Sequence, residues 1–320
     1  MAQLAGTTDT FDSRGGREDL QDKIYMISKA DTPFISNIGR AKADAVKHEW
    51  QVDQLAAIDL NNAFIEGDEY AYADVAPTVR VGNYTQISRK TILVSGTLEE
   101  INKAGRKSEM KYQAMKKGLE LKKDMEGILL SAQASNAGGA AGAAARRLGG
   151  FAAWLTSNVS RGAGGANGGF NSGTGLVAAP TAGTARAFTE TQVKDAQQSA
   201  YTSGGDPTII MMAPAQKRSF SGFPGIAQQR RETGDGEATI VAAADVYVGD
   251  FGRLAAVPNR QMTPGTVFGI DPKLARLRYL RPMFVDKPAK TGDAWKRVML
   301  TEYTLEVSNE AGHFGIFDLQ

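Results

Sequence analysis

Two histidines, His48 and His313, are the only imidazoles in the chain, and there is no cysteine. Neither histidine has a carboxylate or a second histidine at metal-ligand spacing, so each reads as a satisfied strand residue and not as a metal ligand or general base. Serines abound, yet no Gly-x-Ser-x-Gly elbow is present to raise one as a nucleophile. Gly105-Arg106-Lys107-Ser108 imitates the end of a phosphate loop, but it lacks the glycine-rich approach whose amides would cradle the phosphates. Asp250-Phe251-Gly252 imitates a kinase metal triplet without the strand lysine, catalytic loop or lid that give the triplet its role, so a turn is expected there. Glu66, Asp68 and Glu69 could gather a divalent cation, but an exposed acidic loop explains them more simply. No catalytic residue, metal or cofactor is expected, and the chain does not read as an enzyme.

Charge points the same way. With 37 basic and 35 acidic residues the formal net charge is +2, which provides no global field for nucleic acid. Basic clusters occur at Arg146-Arg147, at Arg230-Arg231 and along Lys103 to Lys123. The last is interleaved with Glu109, Glu120, Asp124 and Glu126, which favours a solvated face with ion pairs. No apolar run approaches the roughly 20 residues a membrane helix needs, and Met1 to Thr10 lacks a signal-peptide pattern. The absence of cysteine fits folding in a reducing cytoplasm.

The elements that remain are organised for assembly. From Thr7 to Arg40 polar text is punctuated by apolar anchors, Phe34 among them, and only Arg17 to Ser28 could hold a short helix; the segment reads as an arm that docks elsewhere. Val46 to Asp53 and Thr78 to Ser88 alternate at period two and are expected to pair, leaving about two dozen acidic and apolar residues between them as a long protruding loop. After a short β-rich run, Lys90 to Gly96, Thr97 and Glu100 offer a capping box for one long helix reaching about Gln133, with Tyr112, Met115, Leu119 and Leu129 on its apolar stripe. Gly105, Gly118 and Gly127 interrupt that helix and mark either close packing or a bend.

Ser135 to Arg186 is rich in small residues around one apolar island, Leu148 to Leu155, and reads as a low-complexity connection. A helix capped by Thr189, a buried strand from Pro207 to Met212 and a short helix from Ala215 to Phe220 begin a mixed α/β unit. Thr239 to Val248 and Arg253 to Pro258 read as strands about a turn at Gly249-Asp250. Arg276 to Leu280 and the alternating run Arg297 to Ser308 return the chain to the body.

The strings Asp31-Thr32-Pro33-Phe34-Ile35-Ser36-Asn37-Ile38-Gly39, His48-Glu49-Trp50-Gln51, Gly82-Asn83-Tyr84-Thr85-Gln86-Ile87, Val94-Ser95-Gly96-Thr97 and Glu120-Leu121-Lys122-Lys123-Asp124-Met125-Glu126 resemble one family of tailed-bacteriophage major capsid proteins. Thr10 to Gly15 and Arg17 to Leu20 carry the same likeness. The resemblance implies an α+β Hong Kong 97-like capsid fold: an N-arm (1–45), an extended two-stranded E-loop with flanking strands (46–96), a P-domain spine helix and connection (97–188), a mixed α/β A-domain (189–275) and returning P-domain strands (276–320).

It implies a structural subunit that forms pentamers and hexamers of a closed shell around double-stranded DNA. A portal, and scaffold or decoration proteins, are expected partners, contact with packaged DNA is expected to be weak, no membrane is expected to be involved, and synthesis in the cytoplasm of a bacterial host is implied. A tail-tube component is the alternative. Phe34, Trp50, Tyr70 and Tyr72 are the expected inter-subunit contacts, and Gly105, Gly118 and Gly127 the expected helix hinge.

Overall fold

The computed structural model describes residues 29–70, 72, 74–75, 77–139, 143–223 and 245–320. The expected short arm helix, the Arg230-Arg231 cluster and residues 239–244 lie outside these. Helix α1 (Pro33–Asn37) has proline in its first turn and leads into β1 (Gly39–Lys42). Strands β2 (Lys47–Val52) and β3 (Val79–Tyr84) pair antiparallel, with Lys47 opposite Tyr84 and Val52 opposite Val79. Only Thr85 separates β3 from β4 (Gln86–Ser95), so one extended segment feeds first the loop stem and then the body.

The single long helix expected from Thr97 is instead two. α2 (Gly96–Glu100) is capped by Ser95, whose hydroxyl accepts from Leu98 N, and α3 (Glu109–Leu130) is capped afresh by Ser108. Between them Gly105 sits at φ +75°, a left-handed turn that a continuing helix cannot contain. Glu99, not Glu100, supplies the carboxylate: it accepts from the Ser108 hydroxyl and from the amides of Glu109 and Met110, at the start of the second helix. The buried stripe of α3 is Met110, Leu121, Met125, Leu129 and Leu130, while Met115, assigned to the stripe from spacing, faces solvent.

The small-residue region is not a loose connection. It holds α4 (Phe151–Trp154), β5 (Val159–Ser160) and a hairpin of β6 (Gly169–Asn171) and β7 (Leu176–Ala178), and residues Leu148 and Phe151–Leu155 are buried. Then come α5 (Glu190–Thr202), with the Thr189–Gln192 capping box formed, β8 (Ile209–Met212), α6 (Pro214–Ser221), β9 (Val246–Gly249), β10 (Gly252–Pro258) and β11 (Val267–Ile270). The chain closes with β12 (Ala275–Asp286), β13 (Ala294–Val307) and β14 (Phe314–Ile316).

Two larger sheets carry the body, ordered β1-β12-β13-β4 and β5-β14-β11-β8-β10-β9. The last strand therefore joins the second sheet, as does β5, so strands from before position 188 and after position 276 share one sheet with those between. β8 shows why both faces of this sheet must be covered: Ile209 and Met211 belong to one core and Ile210 and Met212 to the other, all four buried. The first core lies against α3, α4 and the four-stranded sheet; the second holds Val193, Ala196 and Ala200 of α5 and Phe220 of α6.

Candidate assembly interface

A strand pair that leaves the body needs something to fix its direction, and here buried polar groups do so. Asn83 of β3 is fully buried. Its Nδ2 donates to Gly149 O at 3.0 Å and Leu305 O at 2.9 Å, and its Oδ1 accepts from Gly149 N at 2.7 Å. Thr85 donates its hydroxyl to Glu302 Oε1 at 2.9 Å, and its amide donates to Val46 O at 2.8 Å.

Glu302 also pairs with Arg146 and with Arg281, the latter at 2.8 Å, while Glu306 accepts from Arg278 and meets His48 Nε2 at 3.1 Å. Both carboxylates lie on one face of β13, where strand periodicity places residues four apart. They turn the root of the stem into an ionic seam. Of these residues His48 and Arg146 were named from the sequence and Asn83 and Thr85 stood in a family-like string, whereas only the alternation of β13 hinted that Glu302 and Glu306 share a face.

Burial alone would raise the Glu306 carboxyl, but the bonds from His48, Arg278 and Ser308 outweigh it and hold the group at about 2. Glu126 in α3 is the opposite case: burial dominates and raises it, although the amides of Ile35 and Phe34 and the Asn259 side chain donate to it. A depressed carboxyl stabilises the fold above its ordinary value and loses that contribution as pH falls; a raised one contributes below its ordinary value and loses it as pH rises through the folded value.

Glu306→Gln is therefore expected to cost about 2 kcal/mol at neutral pH after allowance for screening, with the gap to wild type closing between pH about 4.5 and 2. For Glu126→Gln the gap to wild type widens toward acid. Urea midpoints measured across pH for the three chains check both signs.

Beyond the stem, residues 53–78 carry no described strand, and their large apolar side chains stand in water: Leu55, Ile58, Leu60, Phe64 and Ile65 are 80–94% exposed. Tyr70 and Tyr72, expected at a subunit contact, are 85% and 93% exposed on the same loop. Trp50 and Phe34, expected there too, are placed otherwise. Trp50 packs into its own chain, 5.3 Å from the Trp154 ring and 5.6 Å from His48. Phe34 is 1% exposed, 5.5 Å from Phe151, because the Glu126 carboxylate draws α1 down onto the spine helix. Phe34 is thus enclosed by its own chain, whereas the Trp50 ring stays half-buried.

The helix glycines divide as well. α3 runs unbroken through Gly118 and Gly127; a Cβ at Gly118 would lie 3.2 Å from Met299 Cε, a tight approach, and one at Gly127 would lie 3.6 Å from Gln261 O, an ordinary contact. Gly105 lies in the joint before α3 and not in a helix interior.

Among the described residues no group of three His, Asp or Glu could hold a metal, so Glu66, Asp68 and Glu69 do not converge. His313 is fully buried, accepts from Asp271 N at 3.0 Å and packs edge-on against Phe151; burial lowers it to about 4, which keeps it neutral and structural. Phe251 of the kinase-like triplet forms the β9–β10 turn and contacts Tyr201 at 5.3 Å. No helix of the described residues is long and apolar enough to cross a membrane.

The architecture matches solved shells. The chain superposes on the cyanophage A-1(L) capsid asymmetric unit with a TM-score of 0.67 at 10% identity, covering 97% of this chain and 98% of that one. It superposes on the capsid of a native GTA particle with a TM-score of 0.62 at 12% identity, over 97% and 98%. These are Hong Kong 97-type folds, so the α+β capsid architecture is the one the chain adopts. In sequence, 251 residues are 33% identical to the major capsid protein of Escherichia phage Phieco32, over 70% of this chain and 71% of that protein. The model of the SU10 major capsid protein family matches residues 3–320. A projecting apolar loop on a pinned stem, a capsid fold and a family match over almost the whole length leave no place for the tail-component alternative: the chain belongs to the SU10 major capsid protein family and is a structural subunit of a phage capsid shell.

Proposed function

We propose that the loop of residues 53–78 lies across an adjacent subunit, and that rings of six and five chains built on this contact close the shell around double-stranded DNA. The single observation that carries this reading is the row of apolar side chains from Leu55 to Val75 held in water on a stem that the body fixes in direction. Each such side chain, once covered, contributes about 1.5–3 kcal/mol, so a ring of loop contacts can hold every subunit more than once. Gly118 and Gly127 are where α3 would yield if ring and shell geometry demand a bend, with Gly105 as the joint ahead of it. A portal, and scaffold or decoration proteins, complete such a shell. Contact with the packaged DNA is weak and non-specific, consistent with a net charge of +2.

Replacing residues 53–78 by a two-residue turn between Val52 and Val79 tests the reading. Sedimentation and negative-stain microscopy are expected to show closed shells or five- and six-membered rings for the full chain and monomers for the shortened one, with the thermal unfolding of the monomer retained. Closed shells from the shortened chain, or open tubes from the full one, would overturn it.

A further inference from the structure

Along the chain, bases and acids are mixed in α3, but the helix sorts them onto different sides. At 3.6 residues per turn, Lys111, Lys116, Lys122 and Lys123 fall within an arc of about 140° and along about 18 Å of its axis. Lys111, Lys116 and Lys122 are exposed and Lys123 is half-buried, and the exposed Lys107 extends the row ahead of the helix.

The carboxylates of the helix do not answer these lysines. Glu109 is held by Arg106 and Gln113, Glu120 by Lys117 at 2.7 Å, and Asp124 by Lys90 at 2.5 Å. Glu126 is buried and accepts from the amides of α1 and from Asn259. The cations just before the helix are occupied too, Lys103 by carbonyl oxygens around α2 and Arg106 by Glu109. Among the described residues none of the five lysines forms an ion pair, and Lys116 acts on Glu120 only from a distance. Unpaired cations of one sign on one face contribute nothing to folding the subunit, whereas an external polyanion would be attracted by all of them at once.

We infer that this face of α3 is the surface that meets the packaged duplex, an inference that rests on the reading that the shell encloses double-stranded DNA. Length, side-chain chemistry and apolar area each favour a polyphosphate. About 18 Å of duplex carries about ten phosphates, so every ammonium group finds a partner without a fixed register. All the cations are lysines, mobile point charges that lack the planar fork selecting a carboxylate or a base edge, which suits contact independent of sequence. Met115, 57% exposed, is the one large apolar side chain of α3 that stands mostly in water, too little to anchor a protein partner. The net charge of +2 conceals this face because carboxylates elsewhere balance it.

The test compares full-length chains. Lys111→Gln, Lys116→Gln, Lys122→Gln and Lys123→Gln together leave helix propensity almost unchanged. A second variant removes the same charge from exposed positions elsewhere, with Arg89→Gln, Arg253→Gln, Lys273→Gln and Lys287→Gln. Binding of a labelled duplex to unassembled subunits is followed by fluorescence anisotropy across a range of salt. At about 50 mM salt the α3 variant is expected to bind at least tenfold more weakly than wild type. Its slope of log K against log salt should be shallower by about 2 or more, since each phosphate contact contributes about 0.9. The scattered variant stays within about threefold of wild type. Equal losses in both variants, or none in the first, would overturn the assignment, and a first variant that loses polyglutamate binding but keeps duplex binding would overturn DNA in favour of an acidic protein.

Particles purified with their DNA supply the second measurement. Acetylation of Lys111, Lys116, Lys122 and Lys123, read by mass spectrometry, is expected to run at least fivefold slower in filled particles than in the same particles emptied of DNA. Equal labelling in the two, whether fast or slow, would overturn this face as the DNA contact. Closed particles that never hold DNA would instead overturn the reading on which the inference rests.

Discussion

Asn83→Leu is expected to cost about 4 kcal/mol and to lower the unfolding temperature of the unassembled subunit by roughly 8 °C. The substitution keeps the volume of the side chain, so no cavity is made; what is lost is three hydrogen bonds at once. Gly149 loses a partner for both its amide and its carbonyl, and Leu305 loses the donor to its carbonyl, all at a site where Asn83 is 0% exposed. A buried backbone group left unpaired costs about 1–3 kcal/mol, and for a chain of this size each kcal/mol moves the midpoint by about 2 °C. The same change frees the stem from the Gly149 turn and from β13, so shells should form poorly even at temperatures where the subunit stays folded. Differential scanning calorimetry with Asn61→Leu in the exposed loop as control measures the first effect; an unfolding temperature within about 2 °C of wild type would show that the stem is held by other contacts.

Gly150→Ala is expected to remove the folded subunit altogether, while Gly118→Ala leaves it within about 1 kcal/mol of wild type. A methyl group on Gly150 would lie 2.1 Å from the carbonyl oxygen of Ser131, a backbone atom at the end of α3 that cannot swing aside. The backbone of Gly150 itself is extended, φ −75° and ψ 163°, so the demand is for space and not for a left-handed conformation. Yielding would mean parting α3 from α4, whose Phe151 and Trp154 are buried in the main core. Overpacking against backbone costs more than about 3 kcal/mol, a large share of the 5–15 kcal/mol that keeps a protein folded.

At Gly118 the methyl would meet the mobile end of Met299 at 3.2 Å, and alanine raises helix propensity by about 0.5–1 kcal/mol. Soluble yield and circular dichroism of the two variants separate the cases. If Gly118→Ala also unfolded the subunit, the helix glycine would be a packing requirement as strict as Gly150.

Some of this was legible in the residues alone. Alternation in Val46 to Asp53 reports the strand that became β2, because side chains on a two-sided ribbon must alternate. Thr189 reports the start of α5, because unpaired first-turn amides need local acceptors, and the structure adds Gln192 to complete the capping box. The motif search and the two widely separated histidines offered no active site, and the family to which the chain belongs is one of structural capsid proteins. The exposed loop with Tyr70 and Tyr72 was readable too, since acidic residues mixed with apolar ones between two strands cannot fold on themselves.

The misreadings share a cause. Gly105 looked like a helix glycine because composition on either side favours helix, whereas the turn at φ +75° and the cap by Ser108 are decided by where Glu99 can reach. Phe34 looked like an arm residue seeking a neighbour because its own partners, Glu126 and Phe151, lie 92 and 117 positions away. The small-residue stretch looked like a tether because crowding by a distant carbonyl, as at Gly150, cannot be told from flexibility in a list of residue types.

What the sequence by itself determined was the paired strands of the loop stem, the helix capped by Thr189, the projecting loop and the family, since local backbone preference, period-two patterning and recognisable strings act over a few residues each. Only the tertiary structure decided which polar residues are buried. Glu302, Thr304 and Glu306 alternate with apolar neighbours as if they faced water, yet all are under 5% exposed, because the loop stem and three arginines from other parts of the chain cover that face of β13. Burial of a charge requires its partner to be in place, and that partnership exists only once residues far apart in the chain have met.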